Sequence, residues 1–214
     1  MRFAPGAFNR LLSAGGTGLG QALEWRRAYL CPCTDPHSGS PEAGCPVCAG
    51  RGSVWASPVA AWAGIASQRV AREWAQYGQW ESGDQVMTIA ADSPLYAAGE
   101  NDRLTMTQSS EPFSVPLVRG SGDVLRFPVV QVDRVFWRDP ATLALTEGGI
   151  PAVADDGSLS WAEDEPPAGV QYSVTGRKRP EFYIFKDFPQ DRSHQGGMTL
   201  PRRVVARRYD LAGK

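Results

Sequence analysis

The residues able to do chemistry are concentrated in one stretch. The segment from Tyr29 to Trp55 reads YLCPCTDPHSGSPEAGCPVCAGRGSVW and holds all 4 cysteines of the chain, Cys31, Cys33, Cys45 and Cys48. They form a C-x-C pair and a C-x-x-C pair, separated by a loop rich in Pro, Gly and Ser. Thiolates are soft ligands that lose their protons readily beside a divalent ion, and two close pairs across a short loop suit a closed tetrahedral site. Zn²⁺ is the cofactor such a set favours. Gly50 and Gly52 follow the second pair and allow a tight turn that aims backbone N–H groups at the sulfurs. A stretch this short and polar buries too little apolar surface to hold itself, so a metal replaces a core. The competing reading is a set of cross-paired disulfides such as Cys31–Cys48, which requires an oxidising compartment. Because C-x-C departs from the commoner C-x-x-C, His37 stands as an alternative ligand.

Other chemistry is sparse. His37 and His194 are the only histidines, and no Ser-His-Asp or Cys-His arrangement is readable. A redox role for Cys45-Pro46-Val47-Cys48 would need a helix N-terminus, yet glycines follow at once. Asp155, Asp156, Glu163, Asp164 and Glu165 cluster in turn-like segments and read as solvated acidic loops. The run from Gly15 to Gly20 lacks the strand and the Lys-Ser/Thr of a phosphate loop and reads as a linker. No catalytic residues are expected, and the chain is read as a non-enzyme.

The elements that would position the cysteines are β-strands. The chain has 214 residues, a formal net charge of -1, 23 Gly and 17 Pro, a balance that favours a turn-rich β fold over a helical bundle. The near-neutral charge argues against a dedicated nucleic-acid binder. No apolar run reaches membrane-span length and no signal peptide is recognisable, so a membrane partner is not expected. Phe8 to Leu12 suits a short helix, and Gln21 to Tyr29 a strand or an arm. Val54 to Tyr77 fits both helical spacing and extended structure, and the turns after Gly78 favour strand. Alternating strands are expected at Gln85–Ala90, Arg103–Thr107, Val124–Val130, Val132–Trp137, Val170–Thr175 and Glu181–Phe185. Phe113–Val118 reads as a Pro-marked edge strand, and Asp155 to Ser158 as a hairpin turn. The expected fold is mainly β, a β-barrel or sandwich with an extended N-terminal arm and a small four-cysteine, zinc-ribbon-like knuckle. The expected division is an arm over 1–30, a knuckle over 31–55, a barrel over 56–135 and a second β region over 136–214. That last region ends in an Arg-rich tail. Its Arg202, Arg203, Arg207 and Arg208 are candidates for contacts with a neighbouring subunit or with DNA phosphates.

Three stretches carry a resemblance: Cys31 to Gly52 (CPCTDPHSGSPEAGCPVCAGRG), Gly83 to Met106 (GDQVMTIAADSPLYAAGENDRLTM) and Leu200 to Leu211 (LPRRVVARRYDL). Together they resemble tailed-bacteriophage neck proteins of the head-closure or head–tail connector family. The resemblance implies a virion protein assembled in the host cytoplasm and located in the neck. It implies a β-barrel subunit in a six- or twelve-fold ring with copies of itself, between the portal/adaptor complex and the tail proteins. Such a stopper catalyses nothing and helps retain the packaged DNA in its channel. The alternatives are a zinc-dependent nucleic-acid-binding protein and a tail terminator or other tail connector.

Overall fold

The computed structural model of the chain describes residues 5–13, 18–66, 68–76, 78, 81–188, 194–195 and 197–211. In chain order the first elements are α1 (Pro5–Leu12), β1 (Gln21–Arg26), β2 (Ala28–Leu30), β3 (Ser53–Trp55), β4 (Val59–Ile65), α2 (Gln68–Ala75), β5 (Gln85–Ile89), a 3₁₀ turn (Pro94–Ala97) and β6 (Arg103–Met106). Then come β7 (Glu111–Val118), β8 (Val129–Arg138), β9 (Leu145–Glu147), β10 (Ala152–Val153), β11 (Leu159–Ser160) and β12 (Gln171–Lys178). The last are β13 (Glu181–Asp187), β14 (His194–Gln195), β15 (Met198–Thr199), β16 (Arg202–Arg208) and a 3₁₀ turn (Tyr209–Leu211). The chain divides into two units, Met1–Gln108 with Glu181–Lys214, and Ser109–Pro180.

The first unit is a closed antiparallel barrel in the order β1-β4-β5-β16-β13-β6. Strand periodicity explains its core. Residues two apart share a face, and each strand sends such a pair inward: Leu23 and Trp25, Ala61 and Ala63, Met87 and Ile89, Leu104 and Met106, Phe182 and Ile184, Val204 and Ala206. Alanines on β4 and β16 leave room for Trp25 and Phe182, so side chains fill so small a barrel. The opposite pleat of β5 and β16 carries Val86 and Val205, which α2 covers with Val70 and Trp74. Val70 and Trp74 are four residues apart, on one helix face.

Unit two is a four-stranded sheet in the order β7-β12-β8-β9 with the β10–β11 hairpin. One face of the sheet packs a core of Phe113, Leu125, Val135, Trp137, Tyr172 and Val174. β7 lies at the edge, where Pro112 and Pro116 need not donate to a ladder. The hairpin turn at Asp155 to Ser158 joins β10 to β11.

The mainly β class, the barrel and the knuckle agree with the sequence reading, but several expectations are corrected. Residues 1–30 are not an arm throughout, because β1 is a barrel strand whose Leu23 and Trp25 point into the core. The barrel is not the contiguous span 56–135. It takes β1 from before that span, β4, β5 and β6 from within it, and β13 and β16 from Glu181 onward, which close it. Val54 to Tyr77 is not strand throughout: it bends from β4 into α2, where the spacing of Val70 and Trp74 lets a helix cover the barrel wall. Tyr77 lies outside the described residues. Val124–Val130 is mostly irregular, with one isolated bridge from Val124 to Ser158 before β8 begins. The Arg-rich tail is no tail but β16, paired on both sides.

Candidate metal centre

Local backbone chemistry brings the cysteines together. β2 and β3 pair as a ribbon, with Tyr29 opposite Val54, and the Cys31 amide extends the pairing by donating to the Gly52 carbonyl at 2.8 Å. The ribbon thereby holds the first cysteine pair beside the end of the second. Within the loop, an Asp35 side-chain oxygen accepts from the backbone N–H groups of His37 at 2.9 Å and Ser38 at 2.7 Å, which turns the chain back. After Cys48 the backbone passes through left-handed conformations at Ala49 (φ 51°), Gly50 (φ 78°) and Gly52 (φ 74°). The last of these directs the Gly52 N–H to the Cys48 sulfur at 3.4 Å.

All four Sγ atoms lie within 4.8 Å of one another, with Cys31 to Cys45 at 3.8 Å and Cys33 to Cys48 at 3.5 Å. Around an ion with metal–sulfur bonds of about 2.3 Å, tetrahedral geometry separates the sulfurs by about 3.8 Å. The cluster therefore fits a tetrahedral metal ion and could bind one. Cys31, Cys45 and Cys48 are buried, Cys33 is half-buried, and all four are free thiols rather than disulfides. His37 is exposed and does not belong to the cluster; its backbone is held by the Asp35 turn, and the cysteines complete four positions without it.

The thiols differ electrostatically. Burial opposes ionisation of Cys48, but the Gly52 amide and the neighbouring thiols outweigh it and bring the group down to about 6. Burial pushes Cys33 up to about 12, against the Glu42 amide that favours its thiolate. For Cys31 the Cys33 amide favours the thiolate, yet burial and hydrogen bonds with Cys45 and Cys48 carry the net shift upward. Without an ion the sulfurs share protons, and a bound cation would displace them.

The knuckle is tied to the barrel by groups that sequence reasoning did not single out. Asp102 is buried and accepts from Trp25 Nε1 at 2.7 Å, Ala28 N at 2.7 Å and Gly99 N at 2.9 Å. Trp25 is in the barrel core and Ala28 begins the ribbon, so one carboxyl group joins the two. Trp55, at the end of the ribbon, donates from Nε1 to the Asn101 carbonyl at 3.1 Å. The Arg103 guanidinium lies 4.1 Å from the Tyr209 ring centroid and 5.8 Å from that of Trp55, and it pairs with Glu181 at 2.7 Å. Arg51, in the turn after Cys48, donates to the Tyr209 hydroxyl at 3.0 Å.

The four arginines of β16 are used mainly within the chain. Arg202 donates to Asp187 at 2.6 Å and to the Ala98 carbonyl at 2.6 Å. Arg207 makes a two-pronged pair with buried Asp84, at 3.0 Å to each oxygen, and stacks 3.9 Å from the Phe185 ring centroid. Asp84 also accepts from Trp74 Nε1 at 3.2 Å, which fixes α2, and Arg208 pairs with Asp210 at 3.2 Å. Arg203 is exposed. His194 lies on short β14 and is exposed, outside any metal-ligand cluster among the described residues.

No family model and no curated protein sequence matches the chain. Among the described residues no helix is long and apolar enough to cross a membrane.

Proposed function

We propose that the chain is a structural virion protein of a tailed-bacteriophage neck. It assembles with copies of itself into a ring that joins the portal/adaptor complex to the tail and helps retain packaged DNA. It performs no catalysis. The four cysteines hold Zn²⁺ as a structural clip, because a closed four-thiolate set without an open position suits structural rather than catalytic zinc.

One observation carries this reading: the contrast between a barrel filled by its own side chains and a knuckle that displays apolar ones. Leu30 is 78% exposed, Val47 69% and Tyr29 53%, all on or beside the metal loop. Apolar side chains held outward by a rigid, metal-clipped backbone supply contact area at little ordering cost. That property serves a connector. The arginines of β16 support a DNA-binding reading poorly, since most of their hydrogen-bonding capacity is engaged inside the chain.

The test is reconstitution. The purified protein is assayed for metal by elemental analysis, then mixed with portal/adaptor complexes and imaged by cryo-electron microscopy. About one zinc per chain and a ring of this protein on the adaptor are expected. A protein that stays monomeric with all its neck partners present overturns the proposal.

A further inference from the structure

The sheet of the second unit has one packed face and one open face. Alternation puts Val135, Trp137, Tyr172 and Val174 in the core, so Phe136 and Arg138 of β8 point the other way, with Leu145 of β9 opposite Arg138 in the register. This open face carries a groove of ≈ 610 Å³, lined in part by Phe136, Pro116, Leu143 and Leu145. Leu143 is 61% and Leu145 76% exposed. Two cations stand on the same face of β8, and Arg138 lines the groove. Arg134 lies 6.0 Å from the Phe136 ring centroid and makes a solvent-exposed pair with Glu147 at 3.5 Å, and Arg138 has no carboxylate partner among the described residues.

The opposite side of the same unit has the complementary character. Trp161 packs edge-on to the core ring of Tyr172, at 5.8 Å between centroids, so the acidic loop that follows leaves from the packed face. Glu163 and Asp164 are exposed there, whereas Glu165 is engaged by Arg119 at 2.6 Å. The Gly149 amide donates to the Asp164 carbonyl at 3.0 Å, which sets Ile150, 61% exposed, beside these acids. One face thus offers apolar groups with cations, and the other an apolar group with anions.

We propose that the open face of the β7-β12-β8-β9 sheet binds the Ile150–Glu163–Asp164 surface of a second copy of this chain, head to tail. The argument for self-association is charge complementarity: each unit carries both halves of the contact on opposite faces. Pairing two open faces would instead oppose Arg138 to Arg138. A contact between unlike patches is heterologous, and it closes into a ring when the rotation per subunit divides a full turn. The inference rests on the ring reading above and names the surface that builds the ring.

The experiment uses the zinc-loaded full chain and three variants, Arg138→Glu, Glu163→Lys and the two combined, in sedimentation velocity. Both positions are exposed, and unchanged circular dichroism and zinc content check the fold. Each single reversal is expected to weaken self-association at least about tenfold, and the double reversal to restore much of it. Mixing the two single variants gives a sharper readout. Each fails alone, but in the mixture both contacts between unlike variants join opposite charges, one as in the wild type and one reversed, so the mixture should grow beyond two chains as alternating copies. Assembly unchanged by either reversal overturns this surface while leaving the ring reading standing. A mixture that stops at two-chain complexes, or assembles no better than either variant alone, overturns the head-to-tail polarity. A wild-type chain that does not self-associate alone overturns the surface too, and the ring reading then depends on the reconstitution with portal/adaptor complexes.

Discussion

Asp102 offers the most direct test of how the metal loop is held. Asp102→Ala leaves the N–H groups of Trp25, Ala28 and Gly99, now bonded at 2.7, 2.7 and 2.9 Å, without their acceptor. A buried donor left unpaired costs about 1–3 kcal/mol, which puts the ceiling for three at about 9 kcal/mol. Truncation also opens a small space that water can enter, so the expected loss is about 3–5 kcal/mol, a large part of a typical total of about 5–15 kcal/mol. Asp102→Asn keeps one acceptor oxygen but turns an NH₂ toward donors, and should lose about 2–3 kcal/mol. The assay is denaturant unfolding of the zinc-loaded protein, comparing midpoints at unchanged slope, with hydrogen exchange by mass spectrometry. Exchange should rise first in Ala28–Leu30 and Ser53–Trp55, because the Ala28 amide is where the carboxyl group grips the ribbon. A loss under about 1 kcal/mol for Asp102→Ala, or no change in ribbon exchange, refutes the claim that this group couples barrel and knuckle.

Three further outcomes follow from the same physics. Arg207→Ala should cost about 3–5 kcal/mol, since it strips a two-pronged partner from a fully buried carboxyl group; Arg207→Lys should recover only part, and thermal unfolding measures both. Chelation should raise hydrogen exchange across the loop from Cys31 to Gly52 while β5, β13 and β16 stay protected, because the barrel core contains no cysteine; loss of protection throughout the barrel would count against a local clip. Burial, and then the hydrogen bond to Asp123 at 3.0 Å, push the Tyr172 phenol above its ordinary value. A raised value stabilises fully below the unfolded-state value of about 10 and is lost as pH rises past it, so alkaline unfolding of the second unit should be steeper in the wild type than in Tyr172→Phe.

Much of this structure is local enough to read from the chain. The cysteine spacing marks the cluster, and the glycines after Cys48 foretell the amide that reaches its sulfur. Alternation marks β5, β6, β12 and β13. What escaped depends on partners far away in sequence. Asp84 and Asp102 sit in segments that look like ordinary solvated turns, and only barrel closure buries them, against Arg207 in one case and Trp25 and Ala28 in the other. The same closure turns the Arg-rich segment into β16: Val204 and Ala206 face inward, Val205 faces α2, and the flanking arginines find acids already in place. The insertion of Ser109–Pro180 between β6 and β13 was illegible for a related reason. Every strand of the insert has the same period as the barrel strands, so pattern alone gives no boundary.

The surroundings of the cysteine loop support the proposed reading of it as a structural clip. Its buried side chains are largely its own sulfurs, joined by Val54 of the ribbon, so a bound ion would supply cohesion that apolar packing does not. Contacts from the loop into the barrel end on groups that fix position, among them Asp102 on the Ala28 amide, the Asn101 carbonyl on Trp55 and Tyr209 on Arg51. A catalytic thiolate needs access and an open coordination position, whereas here three of the four sulfurs are buried and all four are mutually in reach. The side chains left to solvent are Tyr29, Leu30 and Val47, apolar groups on a backbone clamped at both ends. On the proposed reading such a loop holds a surface still, and substitutions at Leu30 or Val47 should then alter assembly with a partner while leaving metal content and barrel stability unchanged.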